Sequence, residues 1–386
     1  MPAELIAITD PRLRALRDRQ FGFWQRAEGS LLRSAGLFAP SAPVHLQQSD
    51  GSAITRAETL TPDMIDPAAM VAEAEEVDLA SADSSLPSRG QFLISPGLGD
   101  QMPLCHAITK IPWLEAMLGC PVKMTDGQIW SEPYPGDPED IIRQGANFEH
   151  NPWLQLYQEF LTLLQRRVAR HFPLTANTLI RGTCELVAAV LGVKEACLAW
   201  LDDPRLASRL MRVCTDANLE AIAAGNKIVE PFQDGYVCGY GIWCPGPVLR
   251  TQADHSTLLS PAVYEKQIMP YDAEVIRSCA YSVLHLHNPG LHVAPLLVEI
   301  PELSAIEVVV DPYPTPERSP YEVRMYQMIQ QHKPLILDVG FPSVAEAEAL
   351  LSELSPRGLC FNARFEEGAF AGLPEDWPGR TPWVLA

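Results

Sequence analysis

"YSVLHLHNPGLH", residues 281–292, is an apolar run that ends in two histidines two positions apart and then breaks at Asn-Pro-Gly. Side chains of a strand alternate between its faces, so a strand here points His285 and His287 to the same side. The Asn288-Pro289-Gly290 turn comes at once and leaves both rings near the carboxyl end of that strand. In a (β/α)8 barrel, this end is the catalytic mouth. The third imidazole of the stretch, His292, either competes as a ligand or decorates the loop.

Working outward, "SAIEVVV" (304–310), "KPLILDV" (333–339) and "GLCFNA" (358–363) supply further strands, separated by helical or loop segments. Upstream, "QFLIS" (91–95) and "PLTANTLIRG" (173–182) are predicted strands. "WLQLYQEFLTLLQRRVARHF" (153–172) has the helical apolar period, and "TCELVAAVLG" (183–192) is a helix closed by Gly192. Residues 201–224 form a helix that Asp202 or Asp203 can cap, with Pro204 in its first turn. Another helix begins at Ser260-Pro261. Alternating strands and helices favour an α/β class with parallel strands; a doubly wound sheet gives the same local pattern, and the four late strands fit the second half of a (β/α)8 TIM barrel. We expect an N-terminal extension over 1–85, in which 10–38 carries a helix, and the barrel over 86–386.

Two imidazoles and one thiolate make a three-ligand zinc site with an open fourth position. Cys360, in a late strand, is the third ligand this pattern suggests, giving His285, His287 and Cys360. Carboxylates at strand ends can orient a ligand histidine, bind substrate or move protons, which singles out Asp311 and Asp338. In the glycine-rich "PFQDGYVCGYGIWCPG" (231–246), Tyr240 can donate a hydrogen bond and Asp234 can orient a cationic group. Arg181 suits a substrate carboxylate, with a salt bridge to Glu185 as the alternative. Asp254 fits the mouth or a local cap. Asp254, His255 and Ser256 are consecutive, but no GxSxG elbow accompanies them, which argues against a hydrolytic triad. No Walker or dinucleotide glycine pattern is present.

The chain has 386 residues and a formal charge of -19, which repels polyanions and disfavours nucleic-acid binding. Nine scattered cysteines suggest reduced thiols. No apolar segment has the length of a signal peptide core or a membrane span, so a soluble cytoplasmic protein, monomer or homodimer, is expected.

The order "GTCELVAAVLG", "LDDPRLASRLMRVCTDAN", "DHSTLLSPAVYEKQIMPYDAEVI", "HLHNPG" and "AIEVVVDPYP" resembles the uroporphyrinogen decarboxylase superfamily over roughly residues 90–370. The resemblance implies a (β/α)8 barrel, and the superfamily includes corrinoid-linked zinc methyltransferases. That branch binds zinc through a His-x-Cys pair and a later cysteine. His285 matches the first position, His287 stands where the first cysteine would be, and Cys360 lies in the late position. The activity this resemblance implies is methyl transfer between a corrinoid, or a corrinoid-bearing partner protein, and a small-molecule thiol. The decarboxylase branch implies a second reading, cofactor-free decarboxylation of a polycarboxylate, with Arg26 in "FWQRAEG" and Asp100 in substrate-binding roles. A noncatalytic small-molecule-binding barrel is a third.

Overall fold

The computed structural model describes residues 4–37, 44, 46–76, 93–145, 148–176, 181–311, 319–374, 377 and 382–385. Its principal sheet has six parallel strands, β1 (Leu32–Leu37), β2 (Val248–Gln252), β3 (Tyr281–His287), β4 (Ala305–Val310), β5 (Leu335–Phe341) and β6 (Leu359–Phe365), in the order β2-β3-β4-β5-β6-β1. The four late apolar runs are therefore neighbours in space in the order they take along the chain. Both faces are covered, as the near-continuous apolar composition of β3 to β6 requires.

The two faces differ in what they touch. Leu284, Leu286, Ile306, Val308, Leu335, Leu337, Val339, Phe361 and Phe365 join the large core under the helices. The alternate positions Val283, Ala305, Ile336, Cys360 and Leu32 pack instead with Phe23, Trp24, Cys238, Ile242 and Cys244. This second cluster fills the inner side of the sheet near its amino ends, where helix α1 (Pro11–Trp24) and a hairpin of Tyr236–Val237 with Trp243–Cys244 lie. Polar residues on the same inner face, two or four residues further along each strand, are left above it.

Among the other helices are α2 (Pro152–Arg167), α3 (Thr183–Leu191), α4 (Pro204–Asn226), α5 (Pro320–His332) and α6 (Val344–Glu353). Asp203 caps α4 by accepting from the Leu206 N–H, and Pro204 opens it. Ser260 caps the segment that starts at Pro261. Gly192, at φ 91°, ends α3 in a conformation that favours glycine.

Four expectations meet a different structure. The helix expected over 10–38 ends at Trp24; Arg26 (φ 53°) and Gly29 (φ 71°) turn the chain, and residues 32–37 become β1. Hence the 1–85 segment contributes an edge strand to the sheet, paired with β6. The closed eight-stranded barrel is represented by these six strands, and among the described residues the sheet does not close on itself. Between Leu37 and Val248 the chain forms short strands, including an antiparallel sheet of Arg56–Leu60, Val122–Thr125 and Gln128–Ser131. "QFLIS" is described only from Leu93 and pairs Ile94–Ser95 antiparallel with Leu104–Cys105. Of "PLTANTLIRG", Leu174 makes a parallel bridge to Cys105, and 177–180 lie outside the described residues. No helix among the described residues is long and apolar enough to cross a membrane.

Candidate active site

The carboxyl ends of β2 and β3 bring Asp254, His285 and His287 together, with their ligand-type atoms all within 4.8 Å of one another. The two imidazoles meet edge to face, with centroids 4.9 Å apart and planes at 87°. Both turn Nε2 toward Asp254 Oδ1, at 3.3 Å from His285 and 4.0 Å from His287. That oxygen is buried and makes no hydrogen bond among the described residues. The other oxygen of Asp254 accepts from Gln252 Nε2 at 2.8 Å.

Each ring is held from behind by a carboxylate. His285 Nδ1 pairs with buried Glu307 of β4, and His287 Nδ1 contacts both Asp311 oxygens at 2.9 and 3.0 Å. Asn288 fixes Asp311 by accepting its backbone N–H at 3.1 Å. A carboxylate on Nδ1 sets the tautomer and aims Nε2, which is the support that ligand histidines usually have. Burial opposes ionisation of Glu307, yet His285 and then Arg250 and the Tyr240 hydroxyl outweigh it and hold the carboxyl below its ordinary value. Tyr240 rises from the hairpin beneath the sheet, and its hydroxyl accepts from Arg250 Nε at 2.6 Å.

Cys360 is not brought to this cluster. Its thiol is fully buried in the apolar layer near the amino ends, with Asn362 Oδ1 at 3.4 Å as its polar contact. Burial pushes the thiol well above its usual value, and the neighbouring Cys238 adds to this. Strand order explains the separation: β6 lies three strands away from β3, and Cys360 packs against the plug of Cys238, Ile242 and Cys244. His292 is also turned away, with its ring nitrogens against the Leu259 and Pro289 carbonyls.

Of the other candidates, Asp338 is on the inner face and accepts from Arg364 Nε at 2.6 Å; burial pushes it up to about 6 despite that guanidinium. Arg181 pairs with Glu115 at 3.0 Å rather than with Glu185. Asp100 ties α1 to β1, through Arg19 at 2.6 Å and the Arg33 N–H at 2.9 Å. Arg26 lies beside Gly358, at the amino end of β6. Asp234 is exposed in the left-handed two-residue turn Gln233-Asp234, away from the mouth.

Sequence reasoning passed over Glu307, Arg250 and Gln252. A lone carboxylate inside "AIEVVV" was the available signal, because a charge at an inward position of a doubly covered strand needs a partner. Glu185, in "TCELVAAV", is a second instance. Its Oε1 accepts from the His255 N–H at 2.9 Å, and burial, with Asp254 and Asp272 nearby, pushes it up to about 8.

No protein-family model matches the chain, and no curated protein matches it either. Among solved structures it is similar to a methyltransferase from Methanosarcina mazei, with TM-score 0.56 over 92% of this chain and 94% of that one, at 12% identity. At that identity the likeness is one of fold.

Proposed function

We propose that the chain is a zinc-dependent methyltransferase that passes a methyl group between a corrinoid, or a corrinoid-bearing partner, and a small-molecule thiol. The observation that carries this reading is the convergence of His285 Nε2, His287 Nε2 and the unbonded Asp254 Oδ1. Two imidazoles and a carboxylate are a zinc donor set that leaves a fourth position open. In this reading Asp254 replaces Cys360 as third ligand. The fold likeness to a methyltransferase and the superfamily resemblance of the sequence support the reaction class.

Zinc held there would supply the Lewis acidity that lowers the pKa of a bound thiol. The chain's own residues do the positioning. Glu307 and Asp311 keep the Nδ1 side of each ring occupied, so both Nε2 lone pairs face inward. Arg250 and Tyr240 keep Glu307 ionised, and Gln252 restrains Asp254. Burial of Glu307 excludes water from behind the His285 ring and makes its orientation rigid, whereas Asp311 behind His287 is partly exposed.

The decarboxylase reading would need free guanidinium groups for several carboxylates. Arg19, Arg181, Arg250 and Arg364 are each engaged with Asp100, Glu115, Tyr240 and Asp338, respectively, which disfavours it.

Metal analysis of protein purified without chelator tests the proposal. The parent should contain zinc, and His285→Ala and Asp254→Ala should each lose one equivalent, whereas Cys360→Ala should keep it. In parallel, the parent should consume free methylcobalamin in the presence of a small thiol, and the two depleted variants should not. Unchanged zinc in both His285→Ala and Asp254→Ala would end this assignment.

A further inference from the structure

We infer that Cys184, Glu185 and His255 form a second cation site, built for a thiophilic divalent ion such as zinc and lying directly behind the first. The Cys184 Sγ, a Glu185 oxygen and a ring nitrogen of His255 lie within 4.8 Å of one another. Thiolate, carboxylate and imidazole are all zinc ligands, and three of them leave one position for solvent or another donor.

The surroundings are shaped around these atoms. Cys184 and Glu185 sit in the first turn of α3, and His255 comes after Asp254 in the turn Asp254–Leu258. The His255 backbone N–H fixes Glu185 Oε1 at 2.9 Å, leaving Oε2 beside the Cys184 sulfur at 3.8 Å. His255 Nδ1 is buried and makes no hydrogen bond among the described residues. Gly182 leaves the room that Oε2 occupies: a Cβ there would stand 1.9 Å from Oε2 and 2.1 Å from the Gln252 carbonyl.

The carboxyls of Asp254 and Asp272 lie close enough to act on Glu185, while Arg181 is paired with Glu115. On metal binding the Cys184 thiol and the Glu185 carboxyl release their protons to solvent, and the resulting thiolate and carboxylate become ligands. The inference does not require methyl transfer, and it survives or fails apart from the first centre.

Cobalt(II) is the probe, because a thiolate ligand produces a sulfur-to-cobalt charge-transfer band in the near ultraviolet and the first centre offers no sulfur. Protein stripped of metal and titrated with cobalt should bind two equivalents, one of which brings the band. Cys184→Ser should abolish the band and one equivalent. His255→Gln, which leaves the buried thiol in place, should weaken the band-forming equivalent by about tenfold or more. His285→Ala should keep the band while losing the other equivalent. A parent without the band, a band that persists in Cys184→Ser, or a band lost in Cys360→Ala would each overturn the site.

Discussion

Asp272 is fully buried below the candidate mouth, where the Tyr264 hydroxyl donates to it at 2.8 Å. Burial pushes its carboxyl from 3.8 up to about 7, although Tyr264 and Thr183 pull it down. Over that window the native protein holds a proton that the unfolded chain has released. Stability therefore falls as pH rises through it, by at most about 1.4 kcal/mol per pH unit from this group. Asp272→Asn cannot ionise and still offers Tyr264 an acceptor, so it should flatten the slope. Relative to the parent, it should gain stability between about pH 5 and about pH 8. Urea denaturation of chelator-treated protein at those two values checks this, and an unchanged slope in the variant would refute the assignment.

At the scale of elements, the junction between β2 and α3 is the tightest constraint described. A methyl group at Gly182 would meet the Gln252 backbone carbonyl, which cannot rotate away as a side chain does. Gly182→Ala should cost about 1–3 kcal/mol, seen as a lower urea midpoint; a midpoint equal to the parent's would show that the junction gives way freely. Much of this architecture could be read from sequence, because β3 to β6 are apolar runs bounded by turns and the helices carry their caps. "LRSAGL" could not be read as β1: it is short and holds three small residues and an arginine, and what makes it a strand is the distant edge of β6. The site was legible as far as alternation reaches. Period two places His285 and His287 on one face, but it says nothing of position across the sheet, and a distance of three strands and packing into the apolar plug are what separate Cys360 from them. Asp254 was legible only as a mouth or capping residue, since its approach to the rings depends on the turn after β2.

For the whole molecule, the charge of -19 and the pairing of its inner arginines bear on substrate class. A porphyrinogen with many carboxylates would have to displace existing ion pairs against an unfavourable field. Purified protein, tested with and without added zinc under anaerobic reducing conditions, should form no coproporphyrinogen from uroporphyrinogen. Accumulating product, diminished by Arg26→Ala or Asp100→Ala, would reverse this. The union of β1 with β6 also has a consequence in time. Residues 32–37 leave the ribosome early, yet the strand they pair with comes from residues 360–365. Such distant pairing is slow to close, and until it does the nascent chain carries an unmatched sheet edge. The inner-face bond from Ser34 to Asn362 forms only at that late step. Synthesis of nearly the whole described chain must therefore finish before this wall of the mouth exists, which ties folding yield to protection of an early-made strand through almost the entire length of translation.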